Sequence, residues 1–113
     1  MLRTHMAWTT LCCLEDLKEG CGKYVERGNL QLAVFLHEGR PYVMDNYCPH
    51  AGGNLAGGVI HEGCAVCPWH EWAFRLDNGQ LRDAPSVKVQ TYQTRLQKNE
   101  NGSTDVEADL PLR

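Results

Sequence analysis

Short alternating runs of apolar and polar residues, broken by glycine-containing turns, dominate this chain from Gly22 onward. Gly22–Glu26 and Leu30–Leu36 flank an R-G-N break and predict a hairpin. Glu38-Gly39 turns the second of these into Pro41–Asp45, predicting another hairpin. Val59–Ile60 and Cys64–Val66 bracket H-E-G, and Trp72–Leu76 meets Gln80–Leu81 across D-N-G, a strong hairpin signal. Val87–Gln97, reading V-K-V-Q-T-Y-Q-T-R-L-Q, predicts one long half-buried strand, turned by N-E-N-G into Asp105–Leu110. The helical exception is L-E-D-L-K-E-G, Leu14–Gly20, expected to be a single turn closed by its glycine. The terminal L-P-L-R reads as a frayed tail, and Met6 as a possible alternative start after a loose lead. The expected fold is all-β: a small antiparallel sandwich or barrel with loops projecting from it.

Composition narrows the class. A chain of 113 residues that is 42% hydrophobic and 22% charged fits one globular domain over 1–113, with a core over about 7–110. The formal net charge is −3 with no basic cluster, which argues against a nucleic-acid partner. No apolar run approaches the roughly 18 residues of a membrane span, so no membrane role is expected. The opening M-L-R-T-H-M-A-W has no apolar signal core, and a cytoplasmic location is predicted.

Six cysteines change the picture more than charge does. Without a signal peptide, such a count points to metal binding before disulfides. Cys12, Cys13 and Cys21 have no histidine placed to join them and are expected to be inert. Cys48, Cys64 and Cys67 share a stretch with His50, His61 and His70. Within it, C-x-H and C-x-x-H are separated by sixteen residues, with Pro49 and Pro68 straight after the cysteines. Two thiolates and two imidazoles suit either zinc or a 2Fe–2S cluster with both cysteines on one iron and both histidines on the other. A zinc set of Cys48, Cys64, Cys67 and a histidine is also open, making the chain a zinc-stabilised structural module. Gly52, Gly53, Gly57 and Gly58 favour the cluster, because glycines let backbone wrap closely and turn N–H groups toward sulfides. Ala84-Pro85 is expected to supply a third loop over the site. His5, His37 and His61 are expected at the surface.

C-P-H-A-G-G-N-L followed by C-P-W-H-E-W-A-F and D-N-G resembles the Rieske 2Fe–2S family. The likeness extends to A-W-T-T-L-C-C-L-E-D-L-K-E-G at the start and D-A-P near the end, covering about Ala7 to Leu110. It implies the Rieske-type fold, with two cluster-binding loops forming a subdomain. It also implies one 2Fe–2S cluster held by Cys48 and Cys67 on the buried iron and His50 and His70 on the outer one. Gly52, Gly53, Trp69, Glu71, Trp72 and Pro85 would surround it. Trp69 and Trp72 are read as shielding.

The oxygenase subunits of that family carry a further domain with a mononuclear iron, for which this chain offers only scattered histidines. The expected job is therefore electron transfer to or from a redox protein partner, either a reductase or a terminal oxidoreductase. C-P-W-H and C-P-H-A-G-G resemble the small subunit of NAD(P)H-dependent nitrite reductase more than the ferredoxin of aromatic-ring dioxygenases, which is the alternative.

Replacing two thiolates by neutral imidazoles makes a cluster easier to reduce, so Rieske centres span roughly −150 to +300 mV. The high-potential members resemble C-T-H-L-G-C and C-P-C-H-G-S-x-Y, with a disulfide and hydroxyl donors; here those positions are Gly53, Trp69, Trp72 and Phe74. The residue after the second histidine is usually glycine in the family and is Glu71 here, a carboxylate that disfavours an added electron unless it points into solvent. Redox titration is expected to give a potential near the low end of that range, moving upward in Glu71→Gln. A value above about +100 mV contradicts this reading.

Overall fold

In a computed structural model, residues 6–47, 54–68 and 71–111 are described. Among the described residues there are twelve strands. They are β1 (Met6–Cys13), β2 (Gly22–Arg27), β3 (Leu30–His37), β4 (Arg40–Asp45), β5 (Val59–His61) and β6 (Cys64–Val66), then β7 (Ala73–Arg75), β8 (Gln80–Leu81), β9 (Ala84–Lys88), β10 (Thr91–Tyr92), β11 (Thr94–Lys98) and β12 (Thr104–Pro111). These form three antiparallel sheets ordered β1-β12-β11, β10-β4-β3-β2 and β5-β6-β7-β8-β9.

The four-stranded sheet is the middle layer. Its β3 contains L-A-V-F, Leu32 to Phe35, and all four side chains are buried. Successive side chains point to opposite faces of a strand. Leu32 and Val34 accordingly join Val25, Val43, Val106, Ala108 and Leu110 in one core, between this sheet and β1-β12-β11. Ala33 and Phe35 join Met44, Leu55, Ala65, Cys67 and Phe74 in a second core, against the five-stranded sheet. A continuous apolar run, not an alternating one, is what a strand covered on both faces requires.

Turn chemistry sets the registers. Glu38 and Gly39 have φ of 52° and 79°, and Glu62 and Gly63 have 51° and 76°. Positive φ at both central residues defines the type I′ hairpin, whose twist matches that of the flanking strands. His37 thus pairs with Arg40, and His61 with Cys64. At the β2–β3 turn only Gly28 is positive (φ 60°), the pattern of a II′ turn.

Three expectations are corrected. The segment Val87–Gln97 is extended, as its period demands, but it is not one strand. Its residues pass from β9, paired with β8, through β10, paired with β4, to β11, paired with β12. One extended segment therefore serves all three sheets, changing partners near Val89-Gln90 and at Gln93. The C-terminal tail is not frayed through Pro111, because Leu110 pairs with Ala7 and Pro111 with Met6. The helical turn is a shorter 3-10 turn, Leu14–Asp16. Gly20 does have positive φ (83°). It serves instead in a connector, donating from its N–H to Leu36 O and accepting from Ile60 N–H. That connector stitches the middle layer to β5.

Where β1 and β2 approach as edge strands, Arg27 joins them. Its Nε donates to Thr10 O (3.0 Å) and its Nη2 to Leu11 O (2.9 Å). These carbonyls lie at a bulge that shifts the β1–β12 register between Thr10 and Cys12. Arg27→Ala is expected to lower stability by about 1–2 kcal/mol, since charged hydrogen bonds are worth more than neutral ones but this group is partly solvated. Arg27→Lys should recover only part of the loss, because an ammonium cannot fork between two carbonyls. Urea unfolding checks both: the midpoint falls with unchanged slope.

Candidate metal centre

Two arms emerge, one from a strand of the middle layer and one from a strand of the five-stranded sheet. The first leaves β4 at Asp45 and continues through Asn46 and the exposed Tyr47. Cys48, His50, Gly52 and Gly53 lie outside the described residues. The arm resumes at Asn54, makes a 3-10 turn over Leu55–Gly57 and enters β5. The second arm leaves β6 at Cys67 and Pro68, and Trp69 and His70 lie outside the described residues. It returns through Glu71 and Trp72 into β7.

The arms are closed at their bases and pressed together. Cys67 N–H donates to Trp72 O at 2.7 Å, which ties the two ends of the second arm to each other. Gly58 lies flush against that base: a Cβ there would sit 1.9 Å from Val66 O and 3.3 Å from Cδ of Pro68. No side chain fits, so glycine is required for the contact. Gly22 does the same beneath the first arm, where a Cβ would come within 2.6 Å of Ala56 O and 2.7 Å of the Phe35 ring. The glycine contact differs from the expected wrapping: Gly58 packs on the base of the second arm, and the N–H groups of Gly57 and Gly58 donate within the 3-10 turn, to Asn54 O (3.1 Å) and Leu55 O (3.0 Å), rather than toward a cluster.

Cys67 is completely buried (0%) and belongs to the core between the middle and five-stranded sheets. Cys64, three residues earlier on β6, faces the other way. It lines an open cleft of about 450 Å³ with Glu62, Gly63, Arg75 and Arg82, away from the arms. Burial raises its thiol pKa, partly offset by Arg82 and Arg75. Opposed directions remove Cys64 from a common ligand set with Cys67, and with it the zinc set that used both. Cys12 is likewise held protonated, its pKa pushed up by burial to about 11. High thiol pKa values disfavour ligation.

Trp72 is half-buried and tilted against Phe74, with ring centroids 6.4 Å apart, so it packs on the core under the second arm. Pro85, expected in a loop, lies in β9 with its side chain exposed, while Ala84 and Val87 beside it pack on the same core as Cys67. Pairing with β8 extends the segment that the D-A-P sequence marked as a loop. Glu71 is exposed and has φ 57°, in the left-handed region that a side chain disfavours. That conformation accounts for glycine being usual at this position.

Sequence reasoning missed Asn46 and Tyr47. Both lie in the N-Y-C-P-H stretch, but neither is a metal ligand type, so the motif drew attention past them.

The family model for the Rieske [2Fe-2S] domain matches residues 7–93. The chain belongs to the Rieske 2Fe–2S family. Its cofactor is accordingly a 2Fe–2S cluster, which takes up and releases one electron when bound. The two closed arms, Gly58 lying flush between them and the buried Cys67 fit that group. The chain is similar to a Mycobacterium tuberculosis protein assigned as the small subunit of an NADH-dependent nitrite reductase. The TM-score is 0.74 at 29% identity, covering 90% of this chain and 95% of that one. It is also similar to the ferredoxin component of the alkene monooxygenase system of Xanthobacter autotrophicus, 29% identical over 91 residues, 80% of this chain and 75% of that protein. Cholesterol 7-desaturase of Hemicentrotus pulcherrimus is 39% identical over 80 residues, 69% of this chain. This chain spans only 17% of that enzyme's length. Among the described residues no helix is long and apolar enough to cross a membrane.

Replacing Glu71 by glycine removes the left-handed penalty, partly offset by the greater freedom of glycine in the unfolded chain. Glu71→Gly is expected to stabilise the protein by about 0.5–1 kcal/mol, and Glu71→Ala to leave it nearly unchanged. Thermal or urea unfolding of the three proteins checks this.

Proposed function

We propose that this chain is the electron-relaying component of a nitrite reductase-like oxidoreductase, with Cys48 and Cys67 ligating one iron and His50 and His70 the other. The observation that carries the reading is the end-to-end match with the M. tuberculosis protein, 90% of this chain and 95% of that one at 29% identity. The C-P-W-H and C-P-H-A-G-G motifs agree with it. Histidine ligands leave one imidazole edge free, the natural exit for an electron toward a docked partner. The exposed Tyr47, Pro68 and Glu71 border the arms and are available to such a partner.

Cys12, Cys13, Cys21 and Cys64 form no disulfide, which supports a reducing, cytoplasmic setting. The partner is a protein; nothing in the charge pattern supports nucleic acid or a membrane surface.

A second reading has its own support. The X. autotrophicus ferredoxin component is matched over 75% of its length, so a role as ferredoxin to an oxygenase follows the same chemistry with a different acceptor. Rapid mixing separates the two. The purified protein is expected to contain two irons and two sulfides and, once reduced, to be reoxidised quickly by a sirohaem nitrite reductase catalytic subunit and slowly by a ring-hydroxylating oxygenase. The reverse order selects the ferredoxin reading.

A further inference from the structure

Asn46 is the one buried polar residue among the described residues, with 9% of its surface exposed. Its backbone N–H donates to Gln31 O (2.8 Å), which continues the β4 edge one residue past the strand. Its side chain reaches across the mouth of the first arm. Oδ1 accepts from Ala56 N–H at 2.6 Å, and Nδ2 donates to Oδ1 of Asn54 at 2.7 Å. A backbone N–H can only donate, so the Ala56 bond fixes which way the Asn46 amide faces, and the Asn54 bond follows.

The far side of this clasp is itself immobilised. Asn54 O accepts from Gly57 N–H (3.1 Å), and Ala56 O rests against Gly22, where no Cβ fits. The two ends of the segment 47–53 are thus held one side-chain hydrogen bond apart. Seven residues could reach roughly 25 Å if extended. The clasp instead holds the residues that flank them, Asn46 and Asn54, at 2.7 Å.

We propose that Asn46 is a positioning residue: by fixing the mouth of the first arm, it sets how Cys48 and His50 are presented to the cluster. This rests on the reading of Cys48 and His50 as ligands.

The test uses the full chain, reconstituted with iron and sulfide, and follows iron loss to a chelator, the EPR g-values of the reduced protein, and exchange of the Ala56 amide. Asn46→Leu leaves the Ala56 N–H without its acceptor inside the fold. It is expected to speed iron loss by roughly tenfold or more, shift the g-values and expose the amide to exchange. Asn46→Asp keeps the acceptor for Ala56, and Asn54 can turn its amide to donate. Asn54→Asp keeps the acceptor for Asn46. Either single change is expected to lie near the wild type. Asn46→Asp with Asn54→Asp sets two carboxylates face to face and should behave like Asn46→Leu. Arg27→Ala, remote from the arms, controls for lost stability alone. The proposal is overturned if Asn46→Leu and the double variant release iron no faster than Arg27→Ala with unchanged g-values. A wild-type chain that takes up no 2Fe–2S cluster fails earlier, and overturns the ligand reading together with this one.

Discussion

Burial of the β10-β4-β3-β2 sheet on both faces is the constraint on which the rest of the molecule depends. Val34 and Phe35 are neighbours in sequence yet sit in different cores, and each core holds a different sheet in place. Large side chains such as Phe35 and Leu32, both 0% exposed, each contribute on the order of 1.5–3 kcal/mol on burial. Because the middle layer is shared, the sheet that carries the arms cannot shift without disturbing the packing of β1, β11 and β12 behind it.

That rigidity is delivered to the site through β4 and β6. β4 is paired with β3 along its length and hands the chain to Asn46 in a fixed direction. β6 sits between β5 and β7 and hands it to Cys67. Glycine at 22 and 58 lets the two arms approach the sheets and each other more closely than any side chain allows. A one-electron carrier gains from such a frame: if the ligand loops keep their places in both oxidation states, little reorganisation accompanies transfer. The open cleft at the tips of the two Glu-Gly hairpins lies at the other end of the same strands. Its charges are largely paired among themselves, Arg75 with Asp77 (3.0 Å) and Arg82 with Glu62 (3.3 Å).

The arms also show where a local rule is broken. Glu38 and Glu62 adopt positive φ in hairpin turns, each followed by a glycine that shares the turn. Glu71 does so too, at the return of the second arm, with no glycine next to it in the sequence. A side chain at that position costs backbone strain, and this one places a negative charge on the exposed edge of the second arm.

Much of this protein was legible in its residues because the relevant physics is local. Glu-Gly pairs flanked by apolar alternation specify two-residue hairpins, and the registers of β3 with β4 and of β5 with β6 follow. The L-A-V-F run announces a strand with no solvent face, and the paired C-x-H and C-x-x-H units announce the family. Partner choice was not legible. Alternation over Val87–Gln97 reports extended dihedrals, but which of three sheets each part joins is set by long-range pairing. The same holds for Leu110-Pro111, tied down by β1 from the other end of the chain. The importance of Asn46 was hidden for a related reason. An asparagine before a turn looks like any surface residue until the fold buries it and brings Asn54 and Ala56 across to meet it. Sequence determined the dihedrals, the turns and the ligand types; only the tertiary structure decided which strands meet and what closes the mouth of the first arm.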